Sequence, residues 1–270
     1  MAETYRGRAR LRAGARASDV QFHNVGYADW ALESYALFAR LKSEGVLPTN
    51  VRFQVCIPDP AIIVNLHVLP QAKDDVGPIY TEGLFAEIER MASTIPASEF
   101  AIQWDCTQPV EYETADAARR QSIIQEIVAA RRLRAEWSPL GYHLCYGDFR
   151  AQARTATAQS GGVRRDCQRH HRDRVPAVGL GAHAGAGRPR RHAYVAPLAD
   201  LRLSGDTRLY LGLVHYSDGV AGTRRRIATA ASVYPDFGIA TECGMGRRVG
   251  QDIHELLRIH AEAAGELSEV

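Results

Sequence analysis

Segments with apolar residues at helical spacing alternate along the chain with short apolar runs typical of strands. Between Tyr27 and Glu44 the apolar positions follow a period near 3.6 residues, which predicts a helix that Gly45 ends. Residues 51–57 alternate apolar and polar side chains, which predicts a strand cut off by Pro58 and Pro60. On the same criteria the sequence predicts further helices at 61–69, 82–95, 114–136, 197–203, 223–234 and 253–264, and further strands at 100–105, from 140 onward, at 208–215 and at 237–243.

Helix and strand follow each other with short connections, an order typical of parallel strands joined by crossover helices. Reactive side chains stand at the carboxyl ends of several predicted strands, and a closed (βα)8 barrel collects such side chains on one face. A doubly wound open sheet binds ligands at a switch point instead, and no glycine-rich phosphate fingerprint follows any predicted strand. The sequence therefore predicts an α/β fold of the (βα)8 TIM-barrel type, incomplete or irregular at the N-terminus and at residues 151–191.

Two basic segments break the pattern. Residues 1–18 carry five arginines and little to bury, which predicts a disordered basic tail. Residues 151–191 carry nine arginines against Asp166 and Asp173, contain Leu180 as their single leucine, and have no isoleucine or aromatic residue. This composition predicts no buried strand there. We therefore expect one barrel domain over residues 19–270, with an anomalous Arg/Ala/Gly-rich segment at 151–191.

Composition narrows the classes of protein. The chain has 270 residues, of which 46% are hydrophobic, so it is long enough to bury a large core. Its five cysteines form no paired framework, and neither a signal peptide nor an apolar run of about 18 residues is present, which predicts a cytoplasmic protein that does not enter the membrane. The formal net charge is +2 and the basic residues cluster in two segments with little apolar content, a distribution that argues against nucleic-acid binding.

The candidate chemistry lies at four predicted strand ends, which carry Asp105, His143 with Cys145, His215 and Cys243. In an extended strand, residues two apart point to the same side, so His143 and Cys145 present an imidazole and a thiolate to one point. With Cys243 they make three zinc ligands and leave a fourth position open, the arrangement of a catalytic zinc. Such an ion holds an incoming thiol as the nucleophilic thiolate near neutral pH.

A plainer interpretation stands beside each of these residues. A His-x-Cys pair is also common as packing chemistry. His215 is equally well explained as a core histidine satisfied by a backbone carbonyl. Cys56 and Cys106 are expected to be small core or loop residues.

Several motifs resemble the cobalamin-independent methionine synthases. Residues 142–149 (YHLCYGDF) are similar to their His-x-Cys zinc motif, residues 241–247 (TECGMGR) to their later Cys-Gly ligand loop, and residues 102–105 (IQWD) to the strand whose aspartate contacts the amino-acid substrate. The chain resembles an uncharacterised bacterial branch of that superfamily more closely, in residues 27–35, 212–219 and 223–227. The likeness covers roughly residues 19–150 and 192–265. It implies a (βα)8 barrel whose zinc activates a thiol for alkyl transfer, with Asp105 positioning the substrate.

The chain departs from that family in one important place. The methionine synthases take a glutamate ligand from the strand after the His-x-Cys motif, whereas residues 151–191 contain no glutamate. Our hypothesis is a reading-frame error between Phe149 and Ala193, because family-like sequence stops and resumes there at about the expected length. The family's methyl-folate and homocysteine contacts lie largely in parts that this chain does not match, so methionine synthesis itself is not implied.

The leading hypothesis is zinc-dependent alkyl or methyl transfer to a thiol, with His143, Cys145 and Cys243 as ligands and with Asp105 and His215 as catalytic candidates. It implies a small-molecule thiol and an alkyl donor as partners. Two alternatives stay open at this point. One is a metal-free barrel enzyme related to uroporphyrinogen decarboxylase, with Asp105 as the polar group that binds substrate, and the other is a non-catalytic product of a frame-disrupted gene.

Overall fold

A computed structural model gives the structure of the chain. It describes residues 11, 14, 16–107, 109–112, 115–129, 139–144, 148–149, 152–153, 177–181, 195–203, 205, 207–243 and 245–265. In that part of the chain, helices and parallel strands form a mixed α/β architecture, which confirms the predicted α/β class, and no closed barrel is found there. Most of the predicted basic tail at residues 1–18 lies outside the described residues.

The chain divides into two compact units, one made of residues 1–105 and 129–140 and the other of residues 106–128 and 141–270. The single domain expected over residues 19–270 stays a prediction.

The elements of the first unit follow the sequence prediction closely. They are α1 (Tyr27–Ser43), β1 (Phe53–Pro58), α2 (Pro60–His67), α3 (Lys73–Thr94) and β2 (Phe100–Cys106). The chief difference is α3, which begins at Lys73 although its periodicity predicted a start near residue 82. Gly77 and Pro78 obscure the helical pattern, but Val76 and Tyr80 are buried, so packing extends the helix through them.

The strands of this unit run parallel, with Phe53 opposite Phe100 and Pro58 opposite Asp105. Burial alternates along β2, where Phe100, Ile102 and Trp104 are enclosed and the residues between them are half-buried. This alternation gives the sheet one core face and one more open face. The largest enclosed side chains of the unit are Ile57, Leu84, Ile88, Met91, Ile95, Phe100 and Trp104.

Together with 3-10 helices at Ala196–Asp200 and Met245–Arg247, the second unit contains the other α-helices and strands of the described residues. They are α4 (Pro109–Tyr112), α5 (Ala117–Ala129), β3 (Leu140–Leu144), β4 (Asp148–Phe149), β5 (Gln152–Ala153), β6 (Ala177–Gly181), β7 (Arg208–Val214), α6 (Gly219–Ala231), β8 (Gly238–Thr241) and α7 (Gly250–Gly265). Strands β4 and β5 form a short antiparallel pair. The helix predicted at 114–136 is described only as far as Ala129, since residues 130–136 lie outside the described part.

Strands β3, β6, β7 and β8 are hydrogen-bonded in that order and all run parallel. In register, Gly179 of β6 lies between His143 of β3 and Tyr210 of β7. The crossover between β7 and β8 is α6, as the alternating sequence pattern predicted.

Strand β6 corrects the prediction that residues 151–191 supply no strand. Ala177–Gly181 pairs on both sides, with β3 and with β7. A central parallel strand is held by backbone hydrogen bonds to both neighbours, and small residues do not prevent those bonds. The surrounding residues 154–176 and 182–191 lie outside the described part of the chain.

The core of the second unit lies between this ladder and its helices. Its enclosed side chains include Ile123, Ile124, Leu198, Leu209, Val214, Leu256 and Ile259. The ladder between β7 and β8 shifts register between Gly212 and Val214, immediately before His215. Irregularities of this kind re-aim the side chains that follow them.

Candidate functional site

Three of the residues predicted from sequence stand at the carboxyl end of one parallel ladder. His143 is the penultimate residue of β3, His215 follows the last residue of β7, and Cys243 follows β8 by two residues. Cys145, the partner predicted for His143, lies outside the described residues. Asp105 ends the predicted strand in the first unit, where its carbonyl accepts a hydrogen bond from the Asp59 N–H at 3.2 Å.

His215 is the most enclosed of these residues, and its side chain is 7% exposed. Its Nε2 lies 3.2 Å from the carbonyl oxygen of Gly212, and its Nδ1 lies 3.5 Å from Oε2 of Glu242. Both neighbouring oxygens can accept a hydrogen bond from an imidazole N–H. The carbonyl contact is the one expected of a core histidine, and the carboxylate contact adds a polar partner that such a histidine does not need.

Glu242 connects the ends of β7 and β8. Its backbone N–H donates to the carbonyl of Val214 at 3.1 Å, which continues the ladder past Thr241. Its carboxylate accepts a hydrogen bond from Arg248. The Glu242 side chain is 12% exposed and the Arg248 side chain 10%. The Arg248 guanidinium lies 5.8 Å from the centre of the Tyr216 ring. These contacts join four side chains at this edge of the ladder. We call them the β7–β8 cluster: His215, Glu242, Arg248 and Tyr216.

Asp218 and Arg226 form a second ion pair beside it. Two guanidinium nitrogens of Arg226 donate to the two carboxylate oxygens of Asp218 at 2.7 and 2.8 Å, and its Nε donates to the Leu213 carbonyl at 2.7 Å. The hydrogen bonds from Arg226 hold the pKa of Asp218 below its ordinary value, burial opposes this, and the positive charges of Arg226, His215 and Arg225 support it. The Gly212 and Leu213 carbonyls at the register shift are thus bound by His215 and Arg226.

The residues in and around the β7–β8 cluster differ in how well the sequence predicted them. His215 and Cys243 stand at strand ends, where the pattern pointed to them. Sequence reasoning assigned no role to Glu242, Arg248, Asp218 or Arg226. Asp218, Arg226 and Glu242 lie in the motifs at residues 212–219, 223–227 and 241–247, and Arg248 directly follows the last motif. The available signal was an acidic residue followed by an arginine in or next to these motifs.

The ligand set for zinc needs donor atoms a few ångströms apart, since Zn–N and Zn–S bonds are about 2.0–2.3 Å long. His143 on β3 and Cys243 after β8 are separated by β6 and β7. At about 4.8 Å for each strand spacing, a flat sheet would hold them roughly 14 Å apart. No group of three or more His, Cys, Asp or Glu side chains that could hold a metal is found among the described residues, which do not include Cys145. A shared zinc therefore requires the sheet to curve as a barrel does.

In the described part of the chain, none of the helices is long and apolar enough to cross a membrane. Comparisons of the chain with protein-family models, with curated proteins and with solved structures found no match.

Proposed function

We propose that the chain is a methionine synthase-like zinc enzyme that transfers an alkyl group to a thiol, built on a barrel of the (βα)8 type. The observation that supports this most is the parallel order of β3, β7 and β8, because it brings His143, His215 and Cys243 to the same edge of one ladder. His143, Cys145 and Cys243 would hold the ion. When bound there, zinc would keep the acceptor thiol as a thiolate.

The residues of the second unit have separate parts in this proposal. His215 lies between the Gly212 carbonyl and the carboxylate of Glu242, the residue directly before the proposed ligand Cys243. Arg248 neutralises Glu242 and thereby fixes the charge that His215 faces. In the first unit, Asp105 is proposed to position the substrate, as the motif at residues 102–105 implies.

Metal analysis of the purified chain tests this proposal. We expect about one zinc per chain in the parent and in Cys56→Ser, which removes a thiol on β1 that is not among the proposed ligands. His143→Asn and Cys243→Ser are each expected to lower the zinc content at the same free zinc concentration. A parent chain without stoichiometric zinc, or a Cys56→Ser variant that loses it equally, contradicts the proposal.

A second candidate function is favoured by the β7–β8 cluster itself. A buried imidazole at a strand end and a half-buried guanidinium near it are groups that bind an acidic substrate without a metal. This agrees with a metal-free barrel enzyme related to uroporphyrinogen decarboxylase, in which Asp105 binds substrate. It predicts ligand binding that survives chelation and the double change Cys145→Ser with Cys243→Ser, and that is lost in Arg248→Gln.

A further inference from the structure

A single buried arginine holds both ends of the turn that carries His215. Arg226 is enclosed, and its Nε donates a hydrogen bond to the Leu213 carbonyl at 2.7 Å. Two other nitrogens of the same guanidinium donate to the Asp218 carboxylate at 2.7 and 2.8 Å. Residues 214–217 lie between these two anchor points, so one rigid planar group fixes both the start and the end of the turn.

Gly222 leaves the space that the Asp218 carboxylate occupies. It is buried near the start of α6, and its N–H donates to the Asp218 carbonyl at 3.0 Å. A Cβ at residue 222 would overlap the carboxylate group of Asp218. A glycine inside a helix is less favourable than an alanine, but here it lets the carboxylate fold back over the helix and reach Arg226.

The same turn contacts the neighbouring strand end. The Val214 carbonyl accepts the Glu242 N–H at 3.1 Å, and the His215 imidazole lies between the Gly212 carbonyl and the Glu242 carboxylate. The ring reaches both oxygens only while the turn holds the backbone of residue 215 in this place. What fixes the turn therefore also fixes the direction of the imidazole.

We propose that Asp218 and Arg226 are positioning residues which, with Gly222, form a clamp that holds the His215 imidazole beside Glu242. We call these three residues the α6 clamp. A catalytic use of His215 rests on the proposed function, whereas the position of its ring does not. A clamp of this kind differs from an ion pair that only stabilises the fold, because opening it releases His215 while the rest of the unit stays folded.

Carbethoxylation of the histidines in the whole chain tests the proposal. Diethyl pyrocarbonate modifies an imidazole nitrogen that it can reach, and mass spectrometry of the peptides gives a rate for each histidine. His260, half-buried on α7 in the same unit, is the internal reference. We expect Gly222→Ala and Asp218→Ala each to raise the ratio of the His215 rate to the His260 rate at least about tenfold.

Three variants separate position from charge. Gly222→Ala keeps both charges of the α6 clamp, so faster modification of His215 in this variant does not come from loss of the Asp218 carboxylate. In the double change Asp218→Ala with Gly222→Ala, the added Cβ no longer meets a carboxylate, and we expect the rate ratio of Asp218→Ala alone. Asp218→Asn keeps one acceptor oxygen for Arg226 and is expected to give a smaller rise.

Ile123→Val is the control for a general loss of stability. It removes one carbon from a fully enclosed side chain of the same unit and is expected to leave the ratio unchanged. An unchanged ratio in both Gly222→Ala and Asp218→Ala overturns the proposal, as does an equal rise in Ile123→Val. The measurement needs neither zinc nor substrate, so a chain without stoichiometric zinc contradicts the proposed function while these rates alone decide on the α6 clamp.

Discussion

His215 Nδ1 lies 3.5 Å from Oε2 of Glu242, across the carboxyl ends of two neighbouring parallel strands. The two side chains are 7% and 12% exposed, so their interaction is poorly screened by solvent. Glu242 also accepts a hydrogen bond from Arg248, so a single carboxylate contacts both side chains. The negative charge of Glu242 thus lies beside both His215 and Arg248 in the β7–β8 cluster.

Removing that charge is expected to destabilise the second unit. Glu242→Gln removes the carboxylate charge beside the Arg248 guanidinium and the His215 imidazole, and we expect the free energy of unfolding in urea to fall by about 1–3 kcal/mol. Glu255→Gln, which breaks an ion pair to Arg258 on the exposed face of α7, is the matched control and is expected to leave unfolding close to that of the parent. Equal effects of the two changes would show that burial does not strengthen the Glu242 contacts.

Asp218 is expected to make stability depend on acid pH. Its folded pKa is lowered by the hydrogen bonds from Arg226, so its contribution is present above the ordinary aspartate pKa of about 3.9 and is lost as pH falls through the folded value. At pH 7 we expect Asp218→Asn to cost about 1–2 kcal/mol, since the carboxylate is partly solvated. The difference between parent and variant should shrink as the pH is lowered below 4, measured by urea unfolding across that range. A difference that stays constant down to pH 2 argues against the lowered pKa.

Glu87 is expected to stabilise α1 from a different helix. The helix begins after Gly26, which has no side chain to cap it, and the buried Glu87 carboxylate of α3 accepts the Ala28 N–H at 2.8 Å. Glu87→Ala leaves that N–H enclosed without an acceptor, so we expect a loss of about 1–3 kcal/mol in thermal or urea unfolding. Glu87→Gln keeps an acceptor oxygen and should lose less.

The control for this change is Glu89→Ala, at an exposed position of the same helix. It tests whether loss of a negative charge from α3 is itself destabilising. Similar losses for Glu87→Ala and Glu89→Ala would contradict a capping role for Glu87.

Strand β6 offers a test of whether residues 177–181 are part of the folded ladder. Leu180 pairs in register with Leu144 and Leu211. Leu180→Pro removes a ladder hydrogen bond from a central strand, and we expect a loss of about 3 kcal/mol or more in the free energy of unfolding. If the variant unfolds like the parent, β6 does not contribute to the ladder, and the view that the segment is a non-functional product of a frame error gains support. Cooperative unfolding of the parent chain would argue against that view.

The main elements of the fold were predictable because their signals are local. Apolar spacing placed α1, β1 and β2, and the alternation of helix and strand indicated parallel pairing. Strand β6 was missed because its small residues carry almost no hydrophobic pattern, and what holds it is pairing with β3 and β7, which lie far away in the chain. The early start of α3 was missed for a similar reason, since burial of Val76 and Tyr80 outweighs Gly77 and Pro78.

The sequence by itself determined which residues stand at the strand ends, because the end of an apolar run can be located without knowing any contact between distant residues. It therefore identified His143, His215 and Cys243 as candidates. Only the tertiary structure decided their surroundings: the register shift after Gly212, the carboxylate of Glu242 beside His215, and the guanidinium of Arg248 beside that carboxylate. These contacts join residues on different strands and depend on a shift of one position in the ladder, and no local pattern records such a shift.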